Sequence, residues 1–170
     1  MSRTGGFEMN YREYREARQA EINALPLFWA FSDEQFLEAM RKRGYRPHKG
    51  TKPSYYADKV CSIGGGGFFL KKDRDVVVGF FSKPDPLDEL MKDPEFAEDA
   101  FYYEMGNHEY HINYYQGNWD VCSCFGHVEY NDADDPAEYF KQLGWEQPTI
   151  DAYERARVRF LDAARENDWY

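Results

Sequence analysis

Apolar residues recur every three or four positions along several stretches of the chain, and this spacing predicts amphipathic helices. The clearest stretch is 33–43, which follows a capping box formed by Ser32 and Gln35. Residues 1–9 lack such a repeat and are expected to form a loose N-terminal end. Similar repeats, bounded by proline or glycine, predict further helices over 11–24, 95–105, 136–143 and 150–166, and a helical turn or two over 85–92.

Continuous apolar runs predict strands. The best of them is DVVVGFFS, residues 75–82, whose β-branched and aromatic side chains predict a central strand buried on both faces. Residues 59–63 and 68–70 predict strand pieces on either side of the glycine run 64–67, which is typical of a wide hairpin turn or bulge. The run LFWAF, residues 27–31, predicts a buried strand or extended core segment, with a helix as the alternative.

Residues 106–127 predict a β-hairpin. Two aromatic-rich runs, 110–115 and 119–125, flank the dipeptide Gly117-Asn118, which tolerates the positive φ angles of a tight turn. With that turn, His111 faces Cys124 across the two strands. The hairpin therefore gathers most of the chain's reactive side chains.

The order of these helices and strands along the chain predicts an α+β fold over residues 1–170. We expect a single domain with a mostly antiparallel sheet of about four or five strands and helices packed on it. We expect one core that contains Val76, Val78, Phe80, Phe36, Met40, Phe101, Ile112, Val121, Phe160 and Leu161.

The formal net charge of −10 bears on which class of partner the protein binds. Proteins that bind nucleic acid present a basic face, so this charge argues against direct nucleic-acid binding. It favours a partner with a basic surface, and the alternative is that the charge serves only solubility.

Two acidic runs carry much of this charge. Residues 85–104 contain eight acidic residues interrupted by Lys92, and residues 129–138 contain five with no basic residue. Carboxylates spaced on a rigid surface can mimic phosphates and occupy a basic nucleic-acid channel, whereas the simpler interpretation is two solvated faces. If they mimic phosphates, the predicted partner contacts are Asp85, Asp88, Glu89, Glu95, Glu98, Asp99, Asp132, Asp134 and Asp135.

The His and Cys residues of the hairpin suggest a second function. Zinc prefers four ligands of this type, and the candidates are His108, His111, Cys122, Cys124 and His127. The C-x-C spacing departs from the usual C-x-x-C knuckle, so we expect no metal or other cofactor. A small intracellular enzyme or zinc-binding domain that uses this cluster is the alternative, with Glu104 and Glu109 as acid–base candidates. The glycine run lacks the spacing of a phosphate-binding loop.

The expected location is the cytoplasm. The first ten residues lack the apolar segment of a signal peptide, and no apolar run approaches membrane-spanning length. The odd number of cysteines, three, also suits a reducing compartment.

Three motifs carry a resemblance to known proteins: FWAFSDEQF at 28–36, SIGGGGFF at 62–69 and GNHEY at 106–110. They resemble small acidic phage and mobile-element proteins of uncharacterised families, and are similar to some anti-CRISPR inhibitors of Cas9. The resemblance implies a phage-encoded inhibitor of a CRISPR-Cas nuclease in a bacterial host cell. Such an inhibitor would block the nucleic-acid channel or lock a conformation, and the resemblance supplies no catalytic residues.

Overall fold

The computed structural model describes residues 9–110, 114–126 and 135–169, and helices dominate these parts. The helices are α1 Tyr11–Ala24, α2 Asp33–Lys42, α3 Arg74–Phe81, α4 Leu87–Leu90, α5 Pro94–Asn107, α6 Tyr114–Ser123, α7 Pro136–Gln142 and α8 Gln147–Glu166. Short 3₁₀ turns cover Pro53–Tyr56 and Lys71–Asp73. The strands are β1 Leu27–Trp29, β2 Val60–Gly64 and β3 Gly67–Leu70. None of the helices in these described parts has the length and apolar character that crossing a bilayer requires.

Local side-chain chemistry fixes the predicted helix starts. The Asn10 side chain accepts a hydrogen bond from the Glu13 amide at 3.0 Å, and the Glu13 carboxylate accepts one from the Asn10 amide at 2.9 Å. At α2, the Ser32 hydroxyl accepts from the Gln35 amide at 3.3 Å. These bonds satisfy amides that a helix leaves without partners in its first turn, which confirms both predicted starts.

The sheet is antiparallel, with strand order β1-β3-β2. Gly64, Gly65 and Gly66 all have positive φ in the β2–β3 turn, so the prediction of a hairpin turn at the glycine run is confirmed. Phe28 of β1 pairs with Phe68 of β3. The α+β class holds, but the described sheet has three strands and not the expected four or five.

The predicted central strand 75–82 is wrong, because this segment forms helix α3. Only Val77 is buried, at 1% exposure, whereas Val76 is 60% exposed and Val78 is 44% exposed. Strand propensity depends on a neighbouring strand to pair with, and here the local preference is overridden by tertiary context.

The predicted hairpin 106–127 is also wrong in the described residues. Helix α5 continues to Asn107, and Gly117-Asn118 lies inside helix α6. The Asn118 side-chain oxygen accepts hydrogen bonds from the hydroxyls of Tyr110 and Tyr153, each at 2.6 Å. Asn118 therefore anchors a helix to its neighbours and does not form a turn.

The chain divides into two compact units: an acidic unit, Met1–Glu16 with Asp85–Tyr170, and a basic unit, Ala17–Pro84. The acidic unit has 24 acidic and nine basic residues, a formal charge of −15. The basic unit has seven acidic and 12 basic residues, a formal charge of +5. The net charge of −10 thus conceals opposite charges in the two units.

Each unit has its own hydrophobic cluster, so the expected single core is wrong. Helices α5 to α8 and the first turns of α1 enclose one cluster, which includes Phe101, Val121 and Phe160. The sheet and α2 enclose the other, which includes Phe36 and Met40. Of the other residues expected in the core, Val76 and Val78 are exposed, Phe80 and Leu161 are half-buried, and Ile112 lies outside the described residues. That residues 1–170 form a single domain stays a prediction.

Candidate functional site

Exposed carboxylates of the acidic unit lie on α4 and at the start of α5. Asp88, Glu89 and Glu95 are all exposed to solvent. Glu89 also pairs with Lys92 at 2.6 Å, and an exposed pair of this kind adds only roughly 0–1 kcal/mol to stability. These three predicted contacts are therefore accessible to a partner, and we expect their replacement to change stability little.

Two other predicted contacts hold α1 to the rest of the acidic unit. Asp85 accepts hydrogen bonds from the Tyr14 hydroxyl at 2.6 Å and from the Leu87 amide at 3.0 Å. Asp99 accepts one from the Tyr11 amide at 3.1 Å. Their replacement would disturb the fold as well as the surface.

Of the four remaining predicted contacts, two have structural roles and two lie outside the described residues. Glu98 forms ion pairs with Arg155 at 2.9 Å and Arg159 at 3.3 Å, which link α5 to α8. Asp135 caps α7. Two predicted contacts lie outside the described residues: Asp132 and Asp134.

A buried carboxylate forms the centre of a second cluster in the acidic unit. Glu104 on α5 is 2% exposed. Its Oε1 accepts hydrogen bonds from the Tyr11 hydroxyl at 2.7 Å and the Arg15 guanidinium at 2.6 Å, and its Oε2 accepts one from the Asn107 side-chain amide at 3.0 Å. A buried charge without partners costs several kcal/mol, so these donors are what permit Glu104 to be buried.

His108 and Cys124 complete this cluster. His108 Nε2 lies 3.6 Å from Glu104 Oε2 and 3.2 Å from Cys124 Sγ. The Cys124 thiol donates to the Asp120 carbonyl at 3.3 Å. One ligand atom from each of Glu104, His108 and Cys124 lies within 4.8 Å of the others. The structure thus brings a carboxylate, an imidazole and a thiol to one point.

The sequence identifies part of this cluster. It singles out Glu104 as an acid–base candidate, and His108 and Cys124 as zinc ligands, although it places these two on the wrong element. It also includes Cys122, which is buried in the apolar core instead. It does not single out Arg15. The available signal is that Tyr11 and Arg15, four residues apart, share one face of α1, as Glu104 and His108 share one face of α5. Two other predicted zinc ligands lie outside the described residues: His111 and His127.

The two thiols of this region are protonated at neutral pH. Burial raises the pKa of Cys122 to about 12, and burial together with the Glu104 carboxylate raises that of Cys124 to about 12. Because the thiolate is the nucleophile in cysteine hydrolases, the Cys124–His108 contact does not have the electrostatics of an activated pair.

An open cleft of about 1040 Å³ also lies in the acidic unit, lined in part by Asn107, Glu109 and Tyr102. The cleft is lined by two arginines, Arg12 and Arg159, and the Arg159 guanidinium lies 4.0 Å above the Tyr102 ring and is paired with Glu98. The lining combines acidic, basic and aromatic side chains, so its charge selects no single class of ligand. Glu109, an acid–base candidate from the sequence, belongs to this cleft.

Comparison with known proteins identifies one family. The model of a family of unknown function, DUF7659, matches residues 10–122, which is more than half of the chain. The match includes the whole basic unit, Glu104 and His108, and ends two residues before Cys124. No curated protein and no solved structure matches the chain.

Proposed function

The chain belongs to this family of unknown function, and we propose that it is a binding protein whose acidic unit contacts a basic surface on a nucleic-acid-binding partner. The supporting observation is the separation of charge, with −15 in the acidic unit and +5 in the basic unit. A surface dense in carboxylates attracts a basic surface and competes for it with nucleic-acid phosphates.

The proposed contact surface is centred on Asp88, Glu89 and Glu95. Their exposure lets a partner reach them directly. Asp85 and Asp99 add to the negative potential, although their carboxylates also stabilise the fold, whereas the charge of Glu98 is offset by Arg155 and Arg159. The surface therefore combines accessible charges with charges that are fixed in position.

The narrower form of this proposal is that the chain is a phage-encoded inhibitor and that its partner is a Cas9-type nuclease in the cytoplasm of a bacterial host. Such an inhibitor would block the nucleic-acid channel or lock the nuclease in one conformation. Support for this form comes from the three sequence motifs alone. Addition of the protein to a cleavage reaction with purified Cas9-type nuclease tests it, since unchanged cleavage rejects this form and leaves the broader proposal standing.

Affinity capture from a bacterial lysate at low salt tests the broader proposal. The immobilised protein is compared with a triple amide variant, Asp88→Asn, Glu89→Gln and Glu95→Gln. The matched control, Glu21→Gln, Glu38→Gln and Asp75→Asn, removes the same charge from the basic unit. We expect the wild type and the control to capture the same nucleic-acid-binding protein and the triple amide variant to lose most of it. Equal capture by all three would refute the proposal.

Duplex DNA is added to the captured complex, because DNA should displace a partner that is held through its nucleic-acid-binding surface. The basic unit has its own positive charge, so this step needs a control for direct DNA binding. If DNA displaces the captured partner, the DNA must be shown not to bind the immobilised protein directly. Electrophoretic mobility of labelled DNA with the protein alone makes that distinction. Displacement of the partner without a shift of the DNA supports competition for the partner's basic surface.

A further inference from the structure

The ligand atoms of the Glu104–His108–Cys124 cluster have separations close to those of a zinc site. A zinc ion held tetrahedrally by a thiolate and an imidazole separates the sulfur and nitrogen atoms by about 3.5 Å, given bond lengths of about 2.3 and 2.05 Å. The observed separation of Cys124 Sγ and His108 Nε2 is 3.2 Å, and that of His108 Nε2 and Glu104 Oε2 is 3.6 Å. Two of the three ligand separations thus fit a metal ion with shifts of a few tenths of an ångström.

Neighbouring side chains orient the Glu104 carboxylate. Arg15 and Tyr11 both donate to Oε1. Oε2 accepts a hydrogen bond from the Asn107 side chain and is the oxygen that lies 3.6 Å from His108 Nε2. Hydrogen bonds from outer residues orient ligands in this way in zinc sites. Because Arg15 neutralises the carboxylate in the absence of a metal, Glu104 can remain buried and in position before an ion binds.

The cluster is also accessible. The His108 side chain is 32% exposed and Cys124 is partly buried, whereas Glu104 is 2% exposed. An ion can therefore approach from the side of the imidazole and the thiol. The set of one sulfur, one nitrogen and one oxygen ligand suits Zn²⁺ better than Mg²⁺ or Ca²⁺, which prefer oxygen ligands alone.

We propose that Glu104, His108 and Cys124 bind Zn²⁺. Binding displaces the thiol proton of Cys124 to solvent, and the ion is held by the thiolate Sγ, the imidazole Nε2 and the carboxylate Oε2. Within the described residues the site has three protein ligands, which is the number that catalytic zinc sites use, with water in the fourth position, whereas structural sites use four protein ligands. This proposal does not depend on the binding function proposed above.

Cobalt titration of the untagged, reduced and metal-free protein tests the site, because Co²⁺ occupies zinc sites and reports its ligands spectroscopically. We expect one equivalent of Co²⁺ to produce a thiolate-to-cobalt charge-transfer band in the near ultraviolet, with intense visible bands of a tetrahedral ion. Zn²⁺ should abolish both by competition. Absence of the charge-transfer band in folded wild-type protein would overturn the proposal.

Variants identify the ligands. Cys124→Ala should remove the charge-transfer band, and His108→Gln should weaken Co²⁺ binding by at least about tenfold. Cys61→Ser, which changes the free thiol of the basic unit, should leave both properties unchanged. Glu104→Gln also disturbs folding, so circular dichroism must show that each variant is folded before titration. Retention of the band by folded Cys124→Ala would assign the sulfur ligand elsewhere and refute this site.

Discussion

The Glu104 side chain shows how much one residue can organise in this protein. Its carboxylate links α1, through Tyr11 and Arg15, to α5 and to His108. In the sequence, Glu104 is an acid–base candidate beside His108, but nothing in the run of eight acidic residues marks it as the buried one. Burial of a charge is decided by partners that are distant along the chain, and here those partners are about 90 residues away, so sequence pattern alone does not reveal it.

Replacement of the buried carboxylate should reduce stability. Glu104→Gln removes the charge that pairs with Arg15 and leaves donors without a matched acceptor, so we expect a loss of about 1–3 kcal/mol in the free energy of unfolding. Glu95→Gln, on the exposed start of the same helix, should change it by less than about 0.5 kcal/mol. Urea denaturation compares the two variants. Similar values for both would show that the Glu104 network does not stabilise the fold.

Tyr11 should make stability depend on pH at the alkaline end. Burial and the Glu104 carboxylate raise the pKa of its hydroxyl above the ordinary value of about 10. The folded state therefore holds this proton more tightly than the unfolded state. The stabilisation is complete below pH about 10 and is lost as pH rises above it, by at most about 1.4 kcal/mol per pH unit.

Thermal unfolding between pH 8 and 11 measures this effect. Tyr11→Phe lacks the ionisable hydroxyl, so its stability should fall less steeply with pH than that of the wild type. Tyr55→Phe, at a tyrosine that is 75% exposed, should keep the wild-type slope. Parallel curves for the wild type and Tyr11→Phe would contradict the assignment.

At the scale of elements, sequence pattern succeeds where the signal is local. The start of α2 follows from the Ser32–Gln35 capping box, and the β2–β3 turn follows from glycines that adopt positive φ. It fails at α3 and α6, where the residues favour a strand and a turn but contacts with the rest of the fold favour helices. The Gly117-Asn118 dipeptide favours a turn, but Asn118 lies in helix α6, where its side chain accepts hydrogen bonds from two tyrosine hydroxyls. Tyr110 and Tyr153 lie eight and 35 residues from Asn118 along the chain, so a local dipeptide signal does not include them.

Valine substitutions in α3 distinguish the helix from the strand that the sequence predicts. In the helix only Val77 is buried, so Val77→Ala should lower the free energy of unfolding by about 2 kcal/mol. Val78→Ala should be neutral or slightly stabilising, because Val78 is 44% exposed and alanine favours helices. In a strand buried on both faces both changes would be costly. Equal destabilisation by the two variants would therefore contradict the helix.

At the scale of the whole molecule, the most informative property is the division of charge between the units. Composition predicts an acidic protein, but the −10 total is the sum of a strongly acidic unit and a basic one. The expectation that the chain does not bind nucleic acid rests on that total. Because the acidic unit is formed by two segments separated by 68 residues, its boundaries and its charge become visible only once the fold is known.

The central claim is that exposed carboxylates of the acidic unit drive binding to a basic partner. The most direct test measures the dissociation constant for the partner captured from lysate, for the wild type and the variant carrying Asp88→Asn, Glu89→Gln and Glu95→Gln, across a range of salt concentrations. Three exposed charges worth roughly 0.5 kcal/mol each predict an affinity about tenfold lower for the variant at low salt. The difference should shrink as salt screens the charges, since the Debye length falls to about 3 Å at 1 M. Equal dissociation constants for the two proteins at every salt concentration would contradict the account.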